Sequence, residues 1–188
     1  MRQKNRVFSL GLLFECGLGF LGFAIAWLAG ISLTGQLQPS LAAIELGLLA
    51  TLPMFAMLGL ISVTNWAPIV ALRRQVEEIV QQLFGDANWL DVAVMSVAAG
   101  VGEEILFRGA LQLWIASWTN PWTALSVVSL LFGLAHSLST TYFVVATAIG
   151  AYFGWLALEY DDLIAPIVAH AVYDFVAILY FRSRAAAQ

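Results

Sequence analysis

Residues 41–63 read LAAIELGLLATLPMFAMLGLISV, a run in which Glu45 is the one charged residue. An α-helix needs about 20 apolar residues to cross the hydrocarbon core of a bilayer, so this stretch predicts a transmembrane helix. Five further apolar runs of similar length occur at 7–30, 89–115, 121–138, 141–158 and 163–181. The sequence therefore predicts an all-α, polytopic membrane helix bundle of about six transmembrane helices, forming one integral-membrane domain over residues 1–188.

The composition of the whole chain agrees with a membrane location. Of the 188 residues, 61% are hydrophobic and 11% are charged, whereas a soluble domain carries about 25% charged residues. So few charges exclude a soluble enzyme and a disordered chain. The net charge of −4 also argues against a nucleic-acid partner. We expect membrane lipids to surround the protein.

Residues 66–84 have a different pattern from the spans. Apolar side chains recur there at helical spacing, and arginine, glutamate and glutamine fill the opposite face. This pattern predicts an amphipathic interfacial helix, lying on the membrane surface or against the bundle. A helix that binds a partner protein is the alternative.

Basic residues predict the orientation of the bundle. They precede the first span, separate the second span from the third, and follow the sixth, which puts them all on one side if there are six spans. By the positive-inside rule both termini face the cytoplasm. These residues are Arg2, Lys4, Arg6, Arg73, Arg74, Arg182 and Arg184.

Ionisable residues inside the spans are the main functional signal. A charged side chain at the bilayer centre costs roughly 2.5–3.5 kcal/mol on insertion scales, so such residues are expected to face one another around a shared cavity. The third span contains GEEILFRG at 102–109, the fourth contains FGLAH at 132–136, and the sixth contains HAVYD at 170–174. The residues concerned are Glu103, Glu104, Arg108, His136, His170 and Asp174.

Helical spacing suggests how the residues of each span are paired. Glu104 and Arg108 are four residues apart, which suits an ion pair, while Glu103 is rotated by about 100° from Glu104. That ion pair is either purely structural or part of the chemistry. Counting about 1.5 Å per residue from the predicted span ends places Glu103 nearer the outer face of the membrane than His136, by about 12 Å. A later start of the third and fourth spans, or helix tilt, would remove that difference.

These residue types suit the hydrolysis of an amide bond. Glu103 can act as general base for a water molecule, with His136 sharing and returning the proton. His170 can donate to the tetrahedral oxyanion. Asp174 either takes part in that oxyanion site or orients His170. Neither Gly-x-Ser-x-Gly nor His-Glu-x-x-His occurs in the sequence, so the familiar signatures of serine hydrolases and zinc proteases are absent.

The three motifs, in this order, resemble those of the CPBP (or Abi) family, which contains the type II CAAX prenyl endopeptidases and bacteriocin-processing or immunity relatives. The resemblance covers about residues 89–180. It implies an intramembrane glutamate-type endopeptidase with a four-helix catalytic core at 89–181. Glu103 and His136 would activate water, His170 and residue 174 would form the oxyanion site, and Glu104 and Arg108 would support the first motif.

The resemblance also implies a substrate class and raises the question of a metal. The substrate would be a peptide or a prenylated or other membrane protein, and the compact chain is similar to prokaryotic members, which implies the plasma membrane. Many members have Asn where this chain has Asp174, and an ionised aspartate cannot donate a hydrogen bond. If the enzyme used zinc, Glu103, His136 and His170 would ligate it. We expect a mechanism without a cofactor, because these side chains suffice for the steps above.

Two other functions fit the same residues. Glu, His and Asp in membrane helices also occur in the proton relays of transporters. A catalytically silent immunity or binding protein would keep the cavity without turnover.

Glu15 and Glu45 are expected near the membrane interfaces, where Glu45 could reach Arg108.

Overall fold

The computed structural model describes residues 2–185, with side chains from residue 7 onward. In this part of the chain there are seven helices and no strand. They are α1 (Arg2–Leu28), α2 (Leu41–Val63), α3 (Ala67–Phe84), α4 (Trp89–Glu104, continued by π-helical turns at Ile105–Gln112 and a last α-helical turn at Leu113–Ala116), α5 (Pro121–Ala135), α6 (Thr140–Tyr160) and α7 (Ile164–Ala185). The predicted all-α membrane bundle is confirmed.

Among the described residues, four helices are long and apolar enough to cross a membrane. They are α1 from Val7, α2, α6 and α7. Helix α5 is apolar but has 15 residues, which gives it a length of about 22 Å against about 30 Å for the hydrocarbon core. The count of six spans therefore stays a prediction.

The end of α5 differs from the predicted boundary at residue 138. Its last helical residue is Ala135, and His136 is the C-terminal cap. Helix α6 then begins at once, because the Ser139 side chain accepts a hydrogen bond from the backbone N–H of Tyr142. The predicted helical boundary at residue 138 is wrong, since His136 lies at the end of the helix; its depth in the membrane stays a prediction.

Helix α4 is central to the bundle and contacts α1, α5, α6 and α7. Its contact with α1 is a backbone contact, since a Cβ atom added at Gly102 would lie 2.2 Å from the carbonyl oxygen of Glu15. A Cβ added at Gly22 would lie 2.8 Å from Leu106 Cα. Glycine at these positions lets the two helices approach closely, which places Glu15 beside α4.

Helix α3 packs against the bundle, one of the two placements expected for it. Leu72 and Val80 are buried, and the buried Glu77 accepts a 2.8 Å hydrogen bond from Arg184 Nε of α7. On the same helix, Arg73 donates to the carbonyl oxygens of Ile61 and Ser62. A position at the membrane interface stays a prediction.

The basic residues of α3 and α7 lie at one end of the bundle. Arg184 contacts α3, and Arg182 Nη1 donates to the carbonyl oxygen of Ala87, just before α4. The side chains of Arg2, Lys4 and Arg6 lie outside the described residues. The cytoplasmic orientation of the termini stays a prediction.

Candidate active site

A cavity of about 250 Å³ lies between the helices, and four of the predicted site residues line it together: Glu103, His136, His170 and Asp174. The rest of its wall is mostly aliphatic and aromatic. The ionisable side chains of α4, α5 and α7 therefore reach the same apolar cavity, as their cost in a bilayer led us to expect.

Glu103 and His136 face each other in this cavity. Glu103 Oε2 lies 3.6 Å from His136 Nε2, so a water molecule in the cavity beside this pair can contact both atoms. His136 Nδ1 lies 2.9 Å from the carbonyl oxygen of Phe132. Because a carbonyl oxygen can only accept, we assign the proton to Nδ1, which leaves Nε2 directed at Glu103. The ring of His136 also stacks on that of Phe132, with centroids 4.4 Å apart.

Glu104 and Arg108 lie behind the cavity rather than in its wall. Both are buried, with 0% and 1% of their surface exposed. Arg108 Nη1 donates to Glu104 Oε1 at 2.8 Å, and Nη2 donates to the carbonyl oxygen of Gly150 at 2.9 Å. The guanidinium lies 4.5 Å from the centre of the Phe132 ring, in range of a cation–π interaction. The predicted i,i+4 ion pair is present.

The π-helical turns of α4 present two polar side chains to α6. Arg108 bonds to the carbonyl oxygen of Gly150, and Gln112 Nε2 bonds to that of Gly154 at 3.0 Å. Gly154 also leaves room for the amide, since a Cβ there would lie 2.7 Å from Gln112 Oε1. The sequence shows the small-residue pair on α6 but gives no sign of the π-helical geometry, which is frequent at functional sites.

His170 is oriented by Glu104. Its Nδ1 lies 2.8 Å from Glu104 Oε1, and since an ionised carboxylate only accepts, Nδ1 is the donor. Nε2 is then directed at Asp174 Oδ2, 3.4 Å away. The ring stacks on Phe153, with centroids 4.9 Å apart and planes 18° apart. Glu104, not Asp174 alone, fixes the imidazole, a link between α4 and α7 that the sequence does not reveal.

The expected mechanism without a cofactor stays a prediction. No group of three or more His, Cys, Asp or Glu side chains within residues 7–185 is arranged to hold a metal ion. The Nδ1 atoms of His136 and His170 are engaged by Phe132 and Glu104. We derive no step through zinc.

Of the two remaining membrane carboxylates, one belongs near the site and one does not. Glu45 is exposed, while Arg108 is buried and bonded to Glu104 and Gly150, so the expected contact between Glu45 and Arg108 is wrong. Glu15 is partly buried beside α4 and lines a second cavity with Glu103 and Asp174. Its expected place near an interface is also wrong, because α1 begins at Arg2 and Glu15 is mid-helix.

One comparison with known proteins gives a match. Residues 85–176 match the family model described as Rce1-like: Type II CAAX prenyl endopeptidase Rce1-like. The matched segment contains all six ionisable residues of the three motifs. No curated protein and no solved structure matches the chain.

Proposed function

We propose that the chain is a member of the type II CAAX prenyl endopeptidase Rce1-like family, whose model matches residues 85–176, and that it is an intramembrane endopeptidase in which Glu103 activates the attacking water. The match to this family supports a protease that lies in a membrane. The observation that carries the mechanism is the convergence of Glu103, His136 and His170 on one cavity.

The attack on the peptide bond uses Glu103 and His136. A water molecule that contacts Glu103 Oε2 and His136 Nε2 gives a proton to the carboxylate, and its oxygen bonds to the carbonyl carbon of the substrate. The electron pair of the C=O double bond moves onto the oxygen, which gives a tetrahedral oxyanion. His136 is held for this role by its bond to Phe132, which leaves Nε2 free to exchange protons.

The oxyanion is stabilised by His170. With Glu104 on Nδ1, an imidazolium presents its Nε2–H to the cavity beside Asp174. Asp174 holds that proton before the substrate binds and yields it to the oxyanion, so an aspartate at this position acts through His170. The departing nitrogen then takes the proton from Glu103, directly or through His136, as the C–N bond breaks. A carboxylic acid and an amine leave, and transfer of one proton between them gives the carboxylate and the ammonium ion.

The wall of the cavity supports a membrane-associated, lipidated or secreted peptide as the substrate. Its apolar side chains come from α2, α3, α6 and α7, among them Leu58, Val76 and Ile149. An extended peptide with apolar side chains or an attached lipid suits such a wall. The few polar groups that line the cavity would then contact one peptide bond of that substrate.

The experiment is cleavage by the purified protein in detergent, with prenylated and unprenylated membrane-anchored peptides. We expect Glu103→Gln to lower kcat by about 10²–10⁴-fold, because the amide cannot accept the proton of water. Glu45→Gln, which changes an exposed carboxylate, is the matched control and should cleave like the wild type.

Other outcomes of this experiment would indicate another function. If Glu103→Gln cleaves at the wild-type rate, the mechanism is wrong. Flux in proteoliposomes without cleavage would indicate a proton-coupled transporter, and neither activity would indicate a silent immunity or binding protein.

A further inference from the structure

A second cavity, also of about 250 Å³, lies on the other side of Glu103, between α1, α4, α7 and the end of α3. Glu103, Asp174 and Ile178 line both cavities and so form the wall between them. On the far side the second cavity is lined by Glu15 of α1 and Ser96 of α4. It reaches the reactive carboxylate without crossing the substrate cavity.

Three residues that line the second cavity each have a buried oxygen atom without a hydrogen-bond partner within residues 7–185. They are Glu15 Oε2, Ser96 Oγ and Glu103 Oε2. A buried polar atom without a partner costs about 1–3 kcal/mol, and native proteins satisfy such atoms with buried water. A cavity of about 250 Å³ holds several water molecules, since each occupies about 30 Å³.

The hydroxyl of Ser96 differs from those of three other serines on apolar helices. Ser62, Ser126 and Ser129 each donate to the carbonyl oxygen four residues earlier, at 2.6, 2.9 and 2.6 Å. Ser96 is 1% exposed and makes no such bond. It lies on the same face of α4 as Ala99 and Glu103, three and seven residues away.

Hydrolysis requires water at Glu103 in every turnover. A peptide that fills the first cavity covers Glu103 from that side, so the replacement water must arrive from elsewhere. The second cavity is the route that the structure offers. Its outer end is lined by Val7, Phe8, Leu83 and Phe84, near the start of α1 and at the last residues of α3.

We propose that the second cavity supplies the water that replaces the molecule consumed at Glu103 and His136, and that Ser96 and Glu15 are positioning residues that hold this replacement water beside Glu103. The inference rests on the proposed function, because it names the source of the water that Glu103 activates. Neither Ser96 nor Glu15 lines the substrate cavity, so both act on the rate of attack and not on substrate binding.

A pair of isosteric substitutions tests the role of the hydroxyl. Thr and Val have nearly the same shape, so Ser96→Thr and Ser96→Val add the same bulk, but only Thr keeps the hydroxyl. We expect Ser96→Val to lower kcat about tenfold relative to Ser96→Thr, the effect of one lost hydrogen bond, with KM unchanged. Equal kcat values for the two variants, or a difference in KM alone, would overturn the proposal.

Thiol labelling tests for water in the cavity without any turnover. Cys16 is exposed, so the background is Cys16→Ser, into which Ser96→Cys or Val97→Cys is introduced. Val97 is the adjacent residue of α4 and is 54% exposed, on the lipid side. In liposomes, a small water-soluble methanethiosulfonate should react at least tenfold faster with the cysteine at 96 than with that at 97, because the reactive thiolate forms only in water.

The two measurements separate the inference from the proposed function. Fast labelling at 96 in a protein that cleaves no peptide would support a hydrated cavity and would contradict the proposed protease function. Cleavage that depends on Glu103, combined with no preferential labelling at 96, would keep the protease and overturn the water site.

Discussion

Glu104 Oε1 accepts hydrogen bonds from both His170 Nδ1 and Arg108 Nη1, each at 2.8 Å. One carboxylate oxygen thereby joins α4 to α7 and neutralises the buried guanidinium. Glu103, the next residue, points into the cavity instead. Adjacent glutamates on one helix thus take different positions, one in the cavity wall and one behind it.

The ion pair behind the cavity predicts a large effect on stability. Glu104→Gln leaves the Arg108 charge buried and unpaired, so we expect it to lower the free energy of unfolding by about 3–5 kcal/mol. The double variant Glu104→Gln with Arg108→Met removes both charges and should be more stable than Glu104→Gln alone. Unfolding in detergent, followed by circular dichroism, measures both. A double variant that is no more stable than Glu104→Gln would contradict this account.

The position of Asp174 predicts that an amide is tolerated there and an alkyl group is not. Asp174→Asn can donate its own N–H to the oxyanion, and we expect its kcat to stay within about tenfold of the wild type. Asp174→Leu removes the partner of His170 Nε2 and supplies no donor in its place, and we expect a loss of about 10²–10³-fold in kcat. Steady-state cleavage by the two variants makes the comparison. Equal loss in both would show that the charge itself is required.

The fold and most of the cluster could be predicted from the sequence, because both follow from the cost of polarity in lipid. Apolar runs predict the membrane helices. The ionisable residues within those runs, such as Glu103 and His170, line the same cavity. The spacing of Glu104 and Arg108 was enough to predict their ion pair. None of these steps requires knowledge of how the helices pack.

The relative depth of the residues could not be predicted, because the third predicted span, 89–115, is longer than the hydrocarbon core is thick. At about 1.5 Å per residue it measures roughly 40 Å against about 30 Å, so a depth counted from its start differs from one counted from its end. Measured from the α4–α5 connection, Glu103 lies about 20 Å down α4 and His136 about 22 Å down α5. The expected difference of about 12 Å came from the predicted span ends.

The contributions of Glu15 and of Glu104 to the site also escaped prediction, since both depend on contacts between helices. Glu15 reaches the second cavity because Gly102 lets α1 touch α4. Glu104 meets His170 because α4 packs against α7. The spacing of residues within one helix carries no information about either contact.

The proposed mechanism uses only side chains and water, and so predicts that the protease works without a metal ion. Within residues 7–185 no three ligating side chains are arranged around a metal. We therefore expect the rate of peptide cleavage to be unchanged after dialysis against EDTA and 1,10-phenanthroline, and unchanged when zinc is added back. Activity that disappears with the chelators and returns with zinc would contradict the mechanism proposed for Glu103 and His136.

The contact between α1 and α4 predicts opposite effects for two glycine substitutions in the same membrane protein. Gly102→Ala places a methyl group 2.2 Å from the carbonyl oxygen of Glu15, so α1 must move away, and we expect a loss of about 1–3 kcal/mol in the free energy of unfolding. Gly17→Ala meets nothing within 4 Å and should be neutral, or stabilising by up to about 1 kcal/mol, because alanine favours the helix.

Thermal unfolding in detergent gives the stabilities of these two variants, and cleavage by the same preparations shows whether the contact matters for the reaction. Moving α1 displaces Glu15 from the second cavity, so kcat should fall in Gly102→Ala and stay at the wild-type value in Gly17→Ala. If both variants unfold and cleave like the wild type, α1 does not pack on α4 through Gly102, and Glu15 is not held near Glu103.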